Sequence, residues 1–130
     1  MMADQDEISD EFDEFNEISD WFWDIIRRAE HNEEKLREIL MGLDRGEVTR
    51  FIDEYDSAAV ELMEPPYTNY LDALSRNSED EVDYLARWVV SQGKEYYTQV
   101  LEHPRKMPRS RNGRENPFSG VAVDVEYDKR

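Results

Sequence analysis

The sequence contains no cysteine, which excludes disulfide bonds and cysteine-ligated metal sites. It also contains no apolar run close to the roughly 20 residues that a membrane-spanning helix requires. Its N-terminus is acidic, whereas a secretory signal begins with basic residues. Together these absences predict a soluble, cytoplasmic protein that makes no contact with a membrane.

The sequence also lacks the usual motifs of catalysis and cofactor binding. It has no glycine-rich phosphate loop, and neither His31 nor His103 follows a Glu-x-x spacing of the kind that binds zinc. Within the predicted domain, acidic residues are densest at 79–83, but acids that open a helix are stabilised by its dipole, so capping explains them without a metal. We therefore assign no catalytic, cofactor-binding or metal-ligating residue, expect no cofactor, and lean against an enzyme.

Charge is abundant and unevenly distributed. The 32 acidic and 16 basic side chains give a net charge of −16. Residues 1–26 hold ten acidic side chains and no Lys or Arg, while residues 104–114 hold five basic side chains and no acid. Phosphates would be repelled by the body of the chain, whereas a basic protein would be attracted. Solubility alone, or adaptation to high salt, remain alternative explanations.

The length and the apolar fraction of 38% suit a single domain with a real core. Apolar residues recur at spacings of three and four over most of residues 18–127, which predicts a compact all-α bundle of about five to six helices. Helix starts are indicated at Ser19, Asn32, Asp44 and Ser78, each of which can cap a free backbone N–H. We expect residues 1–17 to be a flexible acidic tail, 104–117 a mobile basic loop and 128–130 a short tail.

Two segments of the predicted domain are harder to interpret. Residues 67–75 suit a short helix with Tyr70, Leu71 and Leu74 facing inward. Residues 118–127 alternate like a strand at VAVDVEY but also suit a short helix, and helix is favoured because a lone strand would have no partner. The basic loop has two open interpretations: it folds back on the acidic surface, which we favour, or it binds an anion or nucleic acid.

The acidic tail contains a short pattern of acids and aromatics. The hexapeptide EISDEF at 7–12 is followed ten residues later by EISDWF at 17–22. Such spacing is typical of segments that fold on contact with a partner, although a solvated tail with a chance echo would look the same. The candidate partner-binding residues are Asp10, Glu11, Phe12, Asp13, Glu14 and Phe15.

A second candidate site surrounds Gly93, which is predicted to end one helix just before another begins. Glycine adopts the left-handed conformation at low cost, so it commonly stops a helix. Backbone at such a break can bind ligands, and polar and aromatic side chains cluster there. The alternative is a helix corner used only for packing. The candidate pocket residues are Trp88, Gln92, Lys94, Tyr96 and Tyr97.

The chain resembles the bacterial domain-of-unknown-function 4240 family over roughly residues 20–127. The strongest similarity is RWVVSQGKEYYTQVLEHP at 87–104, supported by FWDII at 22–26, SED at 78–80 and the segment 118–127. The chain departs from the family pattern at 69–73, where the family tends to have a tryptophan, and at Arg76-Asn77, where it tends to have two glycines. The resemblance implies an all-α bacterial domain with no established activity.

Two hypotheses follow from these observations. In the first, the chain is a non-enzymatic acidic module that binds a basic macromolecule, as an immunity protein or a nucleic-acid mimic does. In the second, it is an enzyme or a small-ligand-binding protein with a pocket near Gly93. The N-terminal region, in which every charged side chain is acidic, favours the first hypothesis. The oligomeric state is not indicated by the sequence.

Overall fold

The computed structural model describes residues 18–110, 118 and 120–129, and these residues contain α-helices and 3₁₀ turns but no strand. This confirms the all-α prediction. The seven α-helices of this described part are α1 (Asp20–Ala29), α2 (Glu33–Met41), α3 (Arg45–Val60), α4 (Ala73–Arg76), α5 (Glu79–Ser91), α6 (Lys94–Glu102) and α7 (Val121–Asp128). The first 3₁₀ turn is Tyr67–Tyr70 and the second is Pro104–Lys106.

The helices begin where short polar side chains can replace the missing intrahelical partners. The side chains of Ser19, Asn32 and Ser78 each accept a hydrogen bond from the backbone N–H three residues later, as predicted. At Asp44 the capping box is complete, since the Glu47 side chain also accepts from the N–H of Asp44. These starts depend only on nearby residues, which is why they can be read from the sequence.

Helix α3 lies at the centre of the bundle, where it packs against α1, α5 and α7. Phe22 of α1 lies 4.9 Å from Phe51 and 5.8 Å from Tyr55 of α3, measured between ring centroids. All three rings are buried. Aromatic rings bury large areas and attract one another at such distances, so this cluster fixes α1 across the middle of α3.

The segment after α3 differs from the predicted inward-facing helix. Leu71 is buried as expected, but Leu74 is 88% exposed and Tyr70 is 37% exposed. A 3₁₀ turn at Tyr67–Tyr70 and an extended Leu71 interrupt the segment before α4 begins. Because of this break, residues 70, 71 and 74 do not share one helical face.

Residues 104–110 of the predicted basic loop are packed against the domain. Pro104 opens the second 3₁₀ turn, Met107 is buried, and the N–H of Asp72 donates to the carbonyl of Arg109. Burial of the Met107 side chain explains why this part departs from the mobile loop that was expected. Residues 111–117 and the tail at 1–17 lie outside the described residues.

The ambiguous segment near the C-terminus is helical. Val121, Ala122 and Val125 are buried where α7 packs against α2 and α3. Phe118, just before the helix, is buried as well. Of the two interpretations, helix is therefore confirmed, because burial at positions 121, 122 and 125 matches a helical period rather than a strand period.

Candidate functional site

The joint between α5 and α6 is made by one residue with an unusual backbone. Helix α5 ends at Ser91, Gln92 caps it, and Gly93 has φ 109° and ψ 170° before α6 begins at Lys94. This combination of angles is open almost only to glycine, because a Cβ would collide with the adjacent backbone. The predicted helix break at Gly93 is present, since α5 ends at Ser91 and α6 begins at Lys94.

A pocket of about 480 Å³ lies beside this joint, and we call it the Gly93 cleft. Residues 91–95 form one wall, and the other wall comes from α1 and the turn that follows it. The lining residues from α1 and its turn are Asp20, Trp23, Asp24, Ile26, Arg27 and His31. The cleft therefore joins two parts of the chain that are about 70 residues apart in sequence.

The charged groups around the Gly93 cleft are mixed in sign and largely paired. Lys94 Nζ lies 3.3 Å from Asp20 Oδ1, which links the start of α6 to the start of α1. Arg27 and Arg28 both contact Asp24, at 2.5 and 3.0 Å. The hydrogen bond from Arg27 is the main reason that the pKa of Asp24 lies below its ordinary value. The lining thus holds three acidic and two basic side chains, and its third acid, Glu95, forms no ion pair with another described residue.

The polar groups on the α5 side of the cleft form a short hydrogen-bonded chain. Ser91 Oγ donates to the carbonyl of Trp88 at 2.6 Å, and Gln92 Nε2 donates to Ser91 Oγ at 3.3 Å. Among the described residues, Ser91 Oγ forms no hydrogen bond with a histidine or carboxylate that could act as a base. His31, which is exposed on the opposite wall, has no hydrogen bond to either group.

The structure brings only part of the predicted pocket together. Gln92 and Lys94 line the Gly93 cleft. Trp88 and Tyr96 instead pack against each other edge to face, with centroids 5.6 Å apart. Tyr97 is buried, stacks near Trp23, and donates its hydroxyl hydrogen to the carbonyl of Ala58 at 2.8 Å. Tyr97 is thus a core residue that joins α6 to α3.

Sequence reasoning missed the half of the cleft that α1 contributes. None of Trp23, Arg27 and His31 is assigned to a pocket from the sequence. Their position opposite residues 91–95 depends on how α1 packs against the rest of the bundle. No local pattern reports such a long-range pairing, so the sequence alone held no signal for it.

The second candidate surface is electrostatic. Glu33, Glu34 and Glu38 on α2 are exposed and form no ion pair with another described residue, and we call them the acidic ridge. Glu34 and Glu38 are one helical turn apart and so lie on the same side of α2. The predicted partner-binding residues 10–15 fall outside the described part of the chain.

The acidic cluster at 79–83 lies at the start of a helix. Within residues 18–110, 118 and 120–129, no group of three or more acidic or histidine side chains is arranged to hold a metal ion. Glu79, Asp80 and Glu81 occupy the first turn of α5, and Asp83 pairs with Arg87 at 3.0 Å. Arg87 also contacts Asp56 of α3 at 2.9 Å, so this group of charges connects two helices.

None of the helices among the described residues combines the length and the apolar character needed to cross a bilayer. Neither the curated proteins nor the solved structures gave a match to the chain. One family model, described as a protein of unknown function (DUF4240), matches residues 18–126. This match includes all seven helices except the last residues of α7. The chain therefore belongs to the DUF4240 family.

Proposed function

We propose that the protein is a non-enzymatic interaction module that binds a basic macromolecular partner, namely a basic protein. In this role it would resemble an immunity protein that neutralises a toxin, or an inhibitor that mimics nucleic acid. The proposal places it in the bacterial cytoplasm, in keeping with the family resemblance and the acidic composition. It assigns no direct binding of nucleic acid or membrane to the domain.

One observation carries the proposal: on α1 and α2 the exposed acids of the ridge are unpaired, while the basic side chains of these two helices are all paired. The acidic ridge has no ion-pair partner among the described residues, whereas Arg27, Arg28, Lys35 and Lys94 are each held by a carboxylate of the same chain. Free carboxylates on a rigid helix can attract a cationic surface and steer its approach.

The tail adds charge of the same sign. Residues 1–17 contain eight Asp and Glu residues and no Lys or Arg. They are followed by Ile18 and by Ser19, the N-cap of α1. Ser19 donates hydrogen bonds to the Glu54 carboxylate of α3, and this contact anchors the start of α1. In the proposed complex, the tail residues Asp10 to Phe15 contact the partner together with the acidic ridge.

Affinity capture from the source cell with three baits tests this function. The baits are the full chain, a chain that starts at Ile18, and the full chain with Glu33→Gln, Glu34→Gln and Glu38→Gln. We expect the full chain to retain a basic protein that both altered baits lose or bind weakly. With the purified partner, calorimetry should show affinity falling at least tenfold between about 50 and 300 mM salt, because screening shortens the range of the attraction.

A matched variant controls for total charge. Glu64, Glu102 and Asp128 are exposed carboxylates outside α2, and changing them to Gln, Gln and Asn removes the same number of charges. This variant should bind like the full chain. If all baits retain the partner equally, or if its affinity is independent of salt, the acidic surface is not the binding surface and the proposal fails.

The Gly93 cleft supports one alternative, a small-ligand-binding protein. Its volume of about 480 Å³ falls within the range of ligand pockets, and Gln92 and Lys94 present polar groups to it. Native mass spectrometry of protein purified from the source cell would then show a bound small molecule. Gln92→Ala and Lys94→Gln should abolish that added mass, while Gln99→Ala, an exposed position on α6, should not.

A further inference from the structure

The cations that remain unpaired are concentrated at one end of the domain. Arg76, Arg105, Lys106 and Arg109 form no ion pair with another described residue. Two further described cations are unpaired elsewhere: Arg45 at the start of α3, and Lys129, which donates to the carbonyl of Met41. All four of the first group are exposed. We call Arg105, Lys106 and Arg109 the basic end. In a chain of charge −16, such a local excess of positive charge contrasts with the rest of the surface.

Apolar side chains are exposed beside these cations. The first and second 3₁₀ turns pack together, and the N–H of Asp72 donates to the carbonyl of Arg109 at 2.9 Å. Tyr70 and Leu74 lie on either side of Asp72 in sequence and are 37% and 88% exposed. An exposed leucine next to free arginines suits a ligand that carries both carboxylates and apolar side chains.

The chain itself contains a segment with that chemistry. Residues 7–15, EISDEFDEF, alternate carboxylates with Ile8, Phe12 and Phe15 and contain no basic residue. The basic end contains no acidic residue between positions 104 and 110. The two surfaces are therefore complementary in both charge and apolar character.

The segment is also close enough to reach the basic end. The pair between Asp20 and Lys94 places the start of α6 beside the start of α1. The nine residues of α6 span about 14 Å, and the second 3₁₀ turn follows directly. Eleven residues separate position 7 from position 18, and an extended chain of that length covers up to about 36 Å. A tether this short also gives the segment a high effective concentration at the surface.

We propose that the basic end, with Tyr70 and Leu74, is a docking surface for the chain's own acidic segment, residues 7–15. The carboxylates of the segment pair with Arg105, Lys106 and Arg109, and its aromatic side chains cover Leu74. This contact needs no external molecule, so it goes beyond the proposed function. Where a basic partner exists, the partner and the basic end would compete for the same segment.

Zero-length cross-linking between carboxylates and amines tests the contact, because the chain has only four lysines and Lys106 is at the basic end. In the full chain at low salt, we expect Lys106 to be joined to an acid within residues 7–15. The substitutions Arg105→Gln and Arg109→Gln keep Lys106 as the reporter but weaken the attraction. They should lower the cross-linked fraction roughly threefold to tenfold, since each exposed pair is weak.

Three further measurements make the result decisive. Arg28→Gln with Arg45→Gln removes two charges elsewhere and should leave the cross-link unchanged, whereas Leu74→Ser should reduce it. A mixture of isotope-labelled and unlabelled protein should give only unmixed cross-linked peptides. Mixed peptides would overturn the proposal in favour of docking on a second copy. The absence of the Lys106 cross-link, or a yield that is insensitive to Arg105 and Arg109, would also overturn it. The purified protein suffices for all of these, so the outcome is independent of the proposed partner.

Discussion

The hydroxyl groups of Tyr97 and Tyr55 donate hydrogen bonds to backbone carbonyls inside the bundle. Tyr97 donates to the carbonyl of Ala58 at 2.8 Å, and Tyr55 donates to the carbonyl of Arg87 at 2.9 Å. Burial raises the pKa of both phenols above the ordinary value for tyrosine, because the charged phenolate would lose its hydration. Each hydroxyl thus couples the stability of the fold to pH.

We expect Tyr97→Phe to lower the free energy of unfolding by about 1–2 kcal/mol at pH 7, since the buried carbonyl of Ala58 loses its donor. Above about pH 10 the unfolded chain ionises its tyrosines while folded Tyr97 stays protonated. The contribution of Tyr97 to the free energy of unfolding of the wild type is therefore fully present below that pH and is lost as the pH rises above it. The variant should lose less stability over the same interval, so the two curves converge.

Urea unfolding at pH 7, 10 and 11 measures this convergence. Tyr70→Phe is the control, because Tyr70 is partly exposed and forms no hydrogen bond with another described residue. It should change neither the stability at pH 7 nor the slope with pH. Equal stability of Tyr97→Phe and wild type at pH 7 would contradict the assignment of Tyr97 to the core.

Single residues also show what could not be predicted from the sequence. The sequence identified Tyr97 as a candidate pocket residue. It did not show whether the hydroxyl group of Tyr97 faces a pocket or the carbonyl of a residue on another helix. The same limit applies to Leu74, which has apolar chemistry and an exposed side chain. In both cases the deciding contact is with a distant segment, which the local pattern does not contain.

At the scale of elements, Gly93 at the α5–α6 joint and Gly120 before α7 can be compared directly, because each precedes the first residue of a helix. A Cβ placed on Gly93 or on Gly120 would meet no atom within 4 Å apart from those of the glycine and its two chain neighbours, so neither position is limited by packing against the rest of the protein. Their backbones differ, because Gly93 has φ 109° whereas Gly120 has φ −96°. Any difference between the two substitutions therefore reports backbone strain alone.

We expect Gly93→Ala to destabilise the protein by about 1–3 kcal/mol, the usual strain of a side chain in this region of backbone space. Gly120→Ala should change stability by less than about 0.5 kcal/mol, because alanine adopts its angles freely. Thermal or urea unfolding of both variants measures the difference. Similar effects at the two positions would mean that the chain at Gly93 relaxes into another turn.

Helix starts were predictable because their causes are local. The side chains of Ser19, Asn32, Asp44 and Ser78 act within three residues, and all four caps are present. The segment 118–127 could not be decided in the same way, because its alternation suited both a strand and a helix. Packing of α7 against α2 and α3 resolves it, and that packing is a property of the whole bundle.

Charge is the property that is best argued at the scale of the whole molecule. A chain of 130 residues with a net charge of −16 repels itself, and folding brings those charges closer together. The ion pairs of Arg87 with Asp56 and Asp83 offset part of this locally. Most other pairs are on the exposed surface, where each contributes little. Because repulsion outweighs these ion pairs, we expect the folded state to be least stable at low ionic strength.

Unfolding measured across a salt series separates simple repulsion from adaptation to high salt. If repulsion dominates, the melting temperature should rise as sodium chloride increases from about 20 to 300 mM and then level off, because the Debye length has fallen below 8 Å. A chain that starts at Ile18 lacks eight carboxylates, so its rise should be smaller; circular dichroism would first establish that it is folded. A melting temperature that continues to climb up to molar salt would favour adaptation instead. A melting temperature that falls with added salt would mean that attractive pairs outweigh repulsion, and would remove the electrostatic basis of the proposed function.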